Sequence, residues 1–374
     1  MRILLAPDKF KKTLSANEVC AAMTEGIQAV DSSIEVISQP LADGGEGTSD
    51  LLQKAFGLDK VELKVADPFF QPIDACYLKN EKVAFVEMAN ASGLELLIGR
   101  EPKALEATTF GTGELIEHAL NQGVEEIYLM IGGSATNDGG TGMAKALGYT
   151  FSTSDGSAFS ATGAGTLKLD SISKNDIHPR IAEVKFTVLC DVQNPLLGEN
   201  GASYVYGPQK GATDEDIIEL EAGMQTLAKV LDNGFENIPG AGAAGGLGYG
   251  AMSFLGAELK PGIQSVMEMT GFEQKLEGVD VIITGEGKMD LQTVEGKVIA
   301  GVSEVANKSN IPFGVVCGLA EHKEQVQSQI KAYDIRPLVN EEVTVPEAMA
   351  NAYQLVKERT EELVKGFVAS RAQA

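Results

Sequence analysis

Arg2-Ile3-Leu4-Leu5-Ala6, followed by Pro7-Asp8 and then by Ser15-Ala16-Asn17-Glu18, decides the fold class of this chain. The apolar run is long enough for one buried strand and no longer. Ser15 and Glu18 have the S-x-x-E form of a helix-opening capping box, ahead of Val19, Ala22, Met23 and Ile27 on one face. The pattern repeats: a second strand at 34–38 runs into Pro40-Leu41-Ala42-Asp43-Gly44-Gly45-Glu46-Gly47-Thr48 and a helix from about Ser49 to Phe56. Short strands alternating with helices predict a doubly wound α/β sheet.

The alternation stops near Asp67-Pro68. A long stretch of strand-like runs (82–86, 127–131, 184–189) and glycine clusters follows. The rhythm returns at Val279-Asp280-Val281-Ile282-Ile283-Thr284 and continues through a helix at 296–307, a strand at 313–317 and a last helix at about 345–368. The expectation is α/β with two α/β domains. One is a discontinuous Rossmann-like domain with a doubly wound parallel sheet, over 1–66 and 276–374; the other is an inserted mixed α/β domain over 67–275. The active site is expected in the cleft between them.

With 374 residues, 44% hydrophobic and 22% charged, the composition is that of a globular protein, not a disordered or fibrous one. Asp plus Glu number 53 against 30 Lys plus Arg, a net charge of −23 that repels nucleic-acid phosphates and anionic lipid. Nucleic acid and membrane are therefore not expected as partners. Cys20, Cys76, Cys190 and Cys317 form no C-x-x-C pair and read as reduced core residues. No run approaches the roughly 20 apolar residues of a membrane span, and a cytoplasmic protein is expected. Nothing in the sequence fixes or excludes an oligomer.

Glycine clusters in four places: 44–47, 132–140, 240–246 and 285–287. Loops of this kind let backbone N–H groups face an anion without Cβ obstruction, so Gly44, Gly45 and Gly47 with Asp43 and Glu46, and Gly132, Gly133 and Ser134 with Asn137 and Asp138, become candidate phosphate- or substrate-binding residues. No G-x-x-x-x-G-K-[ST] occurs, and Gly240-x-Gly242-x-x-Gly245 follows Asn237-Ile238-Pro239 instead of a strand, so neither a P-loop nor a dinucleotide fingerprint is predicted. Acids at strand ends carry the sharper signal: Asp8, Asp191, Glu286 and Asp290. Phosphoryl transfer needs a carboxylate at the attacking hydroxyl, others for Mg²⁺, and cations around the moving group. Lysines 9, 11 and 12 in the first strand-to-helix loop, with Lys210 and Lys288, are the candidate cations, and the three histidines show no metal-ligand spacing.

Six blocks together resemble the type I bacterial glycerate kinases, in the same order. They are Ala6-Pro7-Asp8-Lys9-Phe10-Lys11; the 40–48 block; Gly132-Gly133-Ser134-Ala135-Thr136-Asn137-Asp138-Gly139-Gly140; Cys190-Asp191-Val192-Gln193-Asn194-Pro195-Leu196; Gly207-Pro208-Gln209-Lys210-Gly211-Ala212; and Thr284-Gly285-Glu286-Gly287. Lys9 departs from the small serine many members carry there. The resemblance implies ATP-dependent phosphorylation of D-glycerate, usually at the 2-hydroxyl, with Mg²⁺, and adds Asn194 and Gln209 to the candidate ligand-binding residues. On the residues themselves, Asp191 is expected to orient or deprotonate the hydroxyl, Asp8 or Lys11 to fix substrate, and Glu286 with Asp290 to hold Mg²⁺. Two rival readings are an NAD(P)-dependent hydroxy-acid oxidoreductase and a non-catalytic regulator that binds sugar acids or nucleotides.

Overall fold

A computed structural model of the chain describes residues 1–42, 44, 48–294 and 297–373. In chain order its strands are β1 (Arg2–Pro7), β2 (Glu35–Ser38), β3 (Asp59–Ala66), β4 (Pro72–Lys79), β5 (Val83–Glu87), β6 (Glu126–Met130), β7 (Thr150–Thr153), β8 (Leu169–Ser173), β9 (Lys185–Leu189), β10 (Glu258–Lys260), β11 (Val281–Met289), β12 (Phe313–Ala320) and β13 (Asp334–Pro337). Contacts divide the chain into two compact units, Met1–Leu51 with Pro261–Ala374, and Leu52–Lys260. Two α/β bodies, one interrupting the other, match the expected fold class.

The first unit holds a sheet in the order β13-β12-β11-β1-β2, with every neighbouring pair parallel. Counted within the unit this is the doubly wound 2-1-3-4-5 order, whose switch point lies between β1 and β11. Ser15 caps the helix Ala16–Val30 reciprocally: its hydroxyl accepts from the Glu18 amide, and Glu18 Oε2 accepts from the Ser15 amide at 2.8 Å. That helix buries Val19, Met23 and Ile27 against Ile3, Leu5 and Ile283, and Val356, Leu363 and Phe367 complete the cluster. Each such side chain contributes roughly 2 kcal/mol. Successive strand residues face opposite sides, so Leu4 and Ile282 are buried toward the other face, the one the helix Val298–Lys308 covers.

β11 and β12 approach so closely that a Cβ on Gly285 would lie 2.0 Å from the Val316 carbonyl oxygen. Gly285→Ala is expected to lower stability by about 2–3 kcal/mol, read as a shift of the urea midpoint. The expected single helix over 345–368 is instead two, Val345–Ala350 and Ala352–Gln373. The Asn351 side chain donates to the Glu347 carbonyl at 3.1 Å, a local bond that competes with helix continuation.

The second unit holds a mixed sheet in the order β10-β9-β6-β5-β4-β3, in which β10, β9, β6 and β5 run parallel and β4 and β3 antiparallel, beside a β7-β8 ribbon. Its core gathers Val86, Leu129 and Val188 from the parallel strands with Leu115, Met143 and Leu247 from the helices. The 240–246 glycines pack here: the Gly139 amide donates to Gly245 O at 3.1 Å, and a Cβ on Gly245 would sit 2.0 Å from Thr136 O. A turn at Phe235–Asn237 precedes them instead of a strand, so they form no dinucleotide fingerprint. Among the described residues no helix is long and apolar enough to cross a membrane.

Candidate active site

In the first unit the carboxyl end of β1 lies beside the middle of β11, Pro7 opposite Gly285, the Asp8 amide donates to Gly285 O at 2.8 Å, and β11 runs on past it to Met289, so Glu286 stands inside that strand and not, as expected, beyond its end. Topology thus puts Asp8 next to Glu286 although 278 positions separate them. A cavity of about 460 Å³ opens at this switch point, lined at one end by Asp8, Lys9, Lys11, Glu286, Lys288 and Lys297. Its other end is apolar, formed by Leu319, Leu338, Val339, Val345, Ala348 and Met349. Gly287 and Gly318 line the cavity too, and they pack so closely that a Cβ on Gly318 would stand 2.3 Å from Gly287 O. A tight turn carries Lys11 to the rim: the Phe10 amide donates to Leu14 O at 2.8 Å, the Leu14 amide to Phe10 O at 3.0 Å, and Lys12 closes the turn at φ 65°.

Glu286 is almost wholly buried, at 5% exposure. Its carboxylate accepts a 2.6 Å bond from Thr293 Oγ1, which in turn accepts from the Asp290 amide at 3.0 Å. Burial pushes its carboxyl up to about 7; the Thr293 bond and Lys297 oppose the shift, and the charges of Asp8 and Asp290 add to it. Asp290 also pairs with Lys288 at 3.3 Å, and Lys288 with Glu321 at 3.1 Å. Asp8, Lys11 and Glu286 are therefore brought together, as two acids among four lysines around one hollow, and Asp290 stands next to Glu286 behind Thr293 without lining the cavity.

The second unit has its own carboxyl edge. Glu87, Met130 and Leu189 are in register across β5, β6 and β9, so Gly132 and Asp191 each stand two residues past the end of adjacent parallel strands. Gly132 and Gly133 are exposed. The loop is pinned from beneath, with Leu94 N donating to Gly133 O and Ala135 N to Ser92 O, both at 2.9 Å. Gly133 needs its glycine for φ +75°, whereas a Cβ on Gly132 would meet nothing within 4 Å.

Other expected ligand residues of this unit are occupied inside it. The buried Asp138 carboxylate accepts from Thr109 N and Thr109 Oγ1 at 2.8 Å each, from Gly140 N at 3.0 Å and from Gly142 N at 3.1 Å. Lys210 is 1% exposed and donates to Thr136 O at 2.6 Å; burial lowers its ammonium to about 7, and Asp138 counteracts that. Asn137 donates to Ser203 at 3.2 Å, while Asn194 donates to Asn200 O at 2.8 Å and accepts from Tyr206 at 2.6 Å. Gln209 is exposed and Ser134 buried. Gly44 is described, at φ 88°; Asp43, Gly45, Glu46 and Gly47 lie outside the described residues.

Sequence reasoning passed over Lys297, Thr293 and the apolar wall. Lys297 had a visible signal, because it directly precedes the amphipathic run that forms the helix Val298–Lys308 and stands at its N-cap. Thr293 and the wall had none, since each depends on contacts that the fold creates.

Known proteins align with this arrangement along nearly the whole chain. The model of the glycerate kinase family matches residues 3–368. A glycerate kinase of Bacillus cereus is 39% identical over 375 residues, covering 99% of this chain and 97% of its own. A glycerate 2-kinase of Escherichia coli K12 is 39% identical over 359 residues, 94% of each. The crystal structure of a protein described as glycerate kinase 2 from Salmonella typhimurium LT2 superposes with a TM-score of 0.87 at 37% identity, over 100% of this chain and 99% of that one. A parallel switch-point sheet, an acid-and-lysine hollow and a second strand-edge glycine loop thus coincide with end-to-end similarity, and the chain belongs to the glycerate kinase family.

Proposed function

We propose that the chain transfers the γ-phosphoryl group of ATP to the 2-hydroxyl of D-glycerate, with Mg²⁺, in the cytoplasm. The observation that carries this reading is the hollow at the β1–β11 switch point. A protein of net charge −23 spends four of its lysines around two adjacent carboxylates there, which suits a polyanion that arrives with a divalent cation. The triphosphate is assigned to Lys9, Lys11 and Lys297. The acid is assigned to the second unit, its carboxylate at the exposed amides of Gly132 and Gly133 and its hydroxyl at Asp191. In the reaction the hydroxyl oxygen bonds to the γ-phosphorus, the bond to the ADP oxygen breaks, and Asp191 takes the hydroxyl proton.

Oxygen donors at the hollow fit Mg²⁺. Among the described residues no group of three or more acids, histidines or cysteines gathers as a metal cage. Mg²⁺ bound by one or two carboxylates and completed by nucleotide phosphates needs no cage. Glu286, which takes the Thr293 bond on Oε1, would hold the ion together with Asp290 or Asp8. When bound, it would neutralise charge on the phosphate oxygens.

Incubation with D-glycerate and Mg-ATP, followed by phosphorus NMR, tests the reading. ADP and 2-phosphoglycerate are expected; no glycerate-dependent ADP release, or 3-phosphoglycerate as product, overturns it. NAD(P)H formation without ATP would point to the oxidoreductase instead. A smaller prediction concerns Gly132, which nothing in the fold obliges to be glycine. Gly132→Ala is expected to leave Tm within about 2 °C, because its Cβ enters open space, and to raise KM for glycerate about tenfold by covering the amide. Steady-state kinetics beside a melting curve check both halves.

A further inference from the structure

Three candidates emerge outside the roles assigned so far. The buried Lys210–Thr136–Asp138 group is closed by internal hydrogen bonds, and the Cys190 thiol is a lone cysteine bonded to Val192 O. The third, the apolar end of the β1–β11 cavity, carries further. A three-carbon hydroxy acid of seven heavy atoms fills on the order of 200 Å³ at about 30 Å³ per water-sized group, so such a ligand leaves more than half of the 460 Å³ empty. Cavities of this size suit ligands of drug or nucleotide scale, gripped by apolar walls with a few polar groups at one end.

The wall has a feature the fold does not need. Val345 and Met349 are both 46% exposed, stand four residues apart on the helix Val345–Ala350, and so share the face that lines the cavity. Opposite them, the Leu338 and Val339 amides donate to Cys317 O at 2.8 Å and Gly318 O at 3.0 Å, which leaves that side to present side-chain hydrocarbon. Apolar surface held half open in a cavity, continuous with a cluster of lysines, describes a ligand with a flat apolar head and an anionic tail.

We infer that this end of the cavity seats the base and ribose of the nucleotide, with Val345 and Met349 on one side and Leu338 and Val339 on the other. The assignment rests on the kinase reading above but is tested apart from it. ADP and tripolyphosphate, which carries the anionic tail without the head, are titrated calorimetrically into the full chain with Mg²⁺ and without glycerate. The neutral double variant Val345→Ser/Met349→Gln alters only exposed side chains, and its melting curve confirms folding. ADP affinity is expected to fall about tenfold in the variant while tripolyphosphate affinity holds. Unchanged ADP affinity, an equal loss for both ligands, or a wild-type chain that binds no ADP overturns the seat. A chain that shows the selective ADP loss yet never phosphorylates glycerate sinks the kinase reading and leaves the seat standing. Normal turnover with KM for ATP untouched in the variant does the reverse.

Discussion

Glu286→Gln is expected to lower kcat by about a hundred- to a thousandfold while making the metal-free protein more stable at pH 8.5. The activity loss follows from removing a negative charge beside Asp8 in the hollow where a cation and phosphates are proposed to sit. The stability gain follows from burial. Glu286 at 5% exposure has its carboxyl raised from 4.5 to about 7, so the folded chain prefers the protonated form. Below about pH 4.5 folded and unfolded chains both hold that proton and no penalty exists. As pH rises toward 7 the unfolded chain releases its proton first and stability falls, by an upper limit on the order of 3 kcal/mol that then stays constant. Glutamine imitates the neutral carboxyl and can still accept from Thr293. The variant should therefore melt higher than wild type in EDTA at pH 8.5 and level with it at pH 4. A gain equal at both pH values, or activity within tenfold of wild type, would count against the account.

Asp138→Ala should cost more stability than any other substitution considered. Its carboxylate is the acceptor for four donors, two of them on Thr109 and the others the amides of Gly140 and Gly142. Alanine would leave all four buried without a partner, at about 1–3 kcal/mol each, and would strip Lys210 of its nearby counter-charge. A loss of roughly 4 kcal/mol or more is expected, in the range reserved for broken buried networks. Asparagine rescues little, since its amide group would point donors at donors. Hydrogen exchange reads the effect at the source: the Thr109, Gly140 and Gly142 amides should lose protection before the β1–β11 region does. Protection equal to wild type would show that solvent replaces the carboxylate without cost.

How far the sequence carried the reading depended on whether a residue's partner lies nearby in the chain. The Ser15–Glu18 cap, the strand at Arg2–Pro7 and the places of Asp8, Asp191 and Asp290 just past strand ends were legible, because spacing and strand direction alone place them, whereas Glu286 lies inside β11. The β3–β4 hairpin was not. Its turn, 67–71, holds Phe69 and Phe70 instead of the usual glycine or asparagine, and works because Asp67 Oδ1 accepts from the Phe69 and Gln71 amides at 2.7 and 2.8 Å while Phe70 adopts φ 58°. Asp138 and Lys210 stand in motifs that read as ligand-binding, yet Asp138 serves Thr109, 29 positions away, and Lys210 serves Thr136, 74 positions away. No window of sequence displays such pairings. The apolar wall stayed hidden likewise, since Val345 comes to line one cavity with Leu338 and Glu286 only through the order of strands in the sheet.

The turn from Phe10 to Leu14 has one more consequence. Its backbone is closed on itself by reciprocal amide bonds, Thr13 adds a hydroxyl bond to Phe10 O at 2.9 Å, and Lys12 is held in a left-handed conformation that an unbound loop would rarely choose. Ordering a residue's backbone removes about 1–2 kcal/mol of conformational freedom. Here that loss has already occurred when the polypeptide reaches its native state, so an incoming molecule meets a rigid bracket and its own affinity carries none of the ordering penalty.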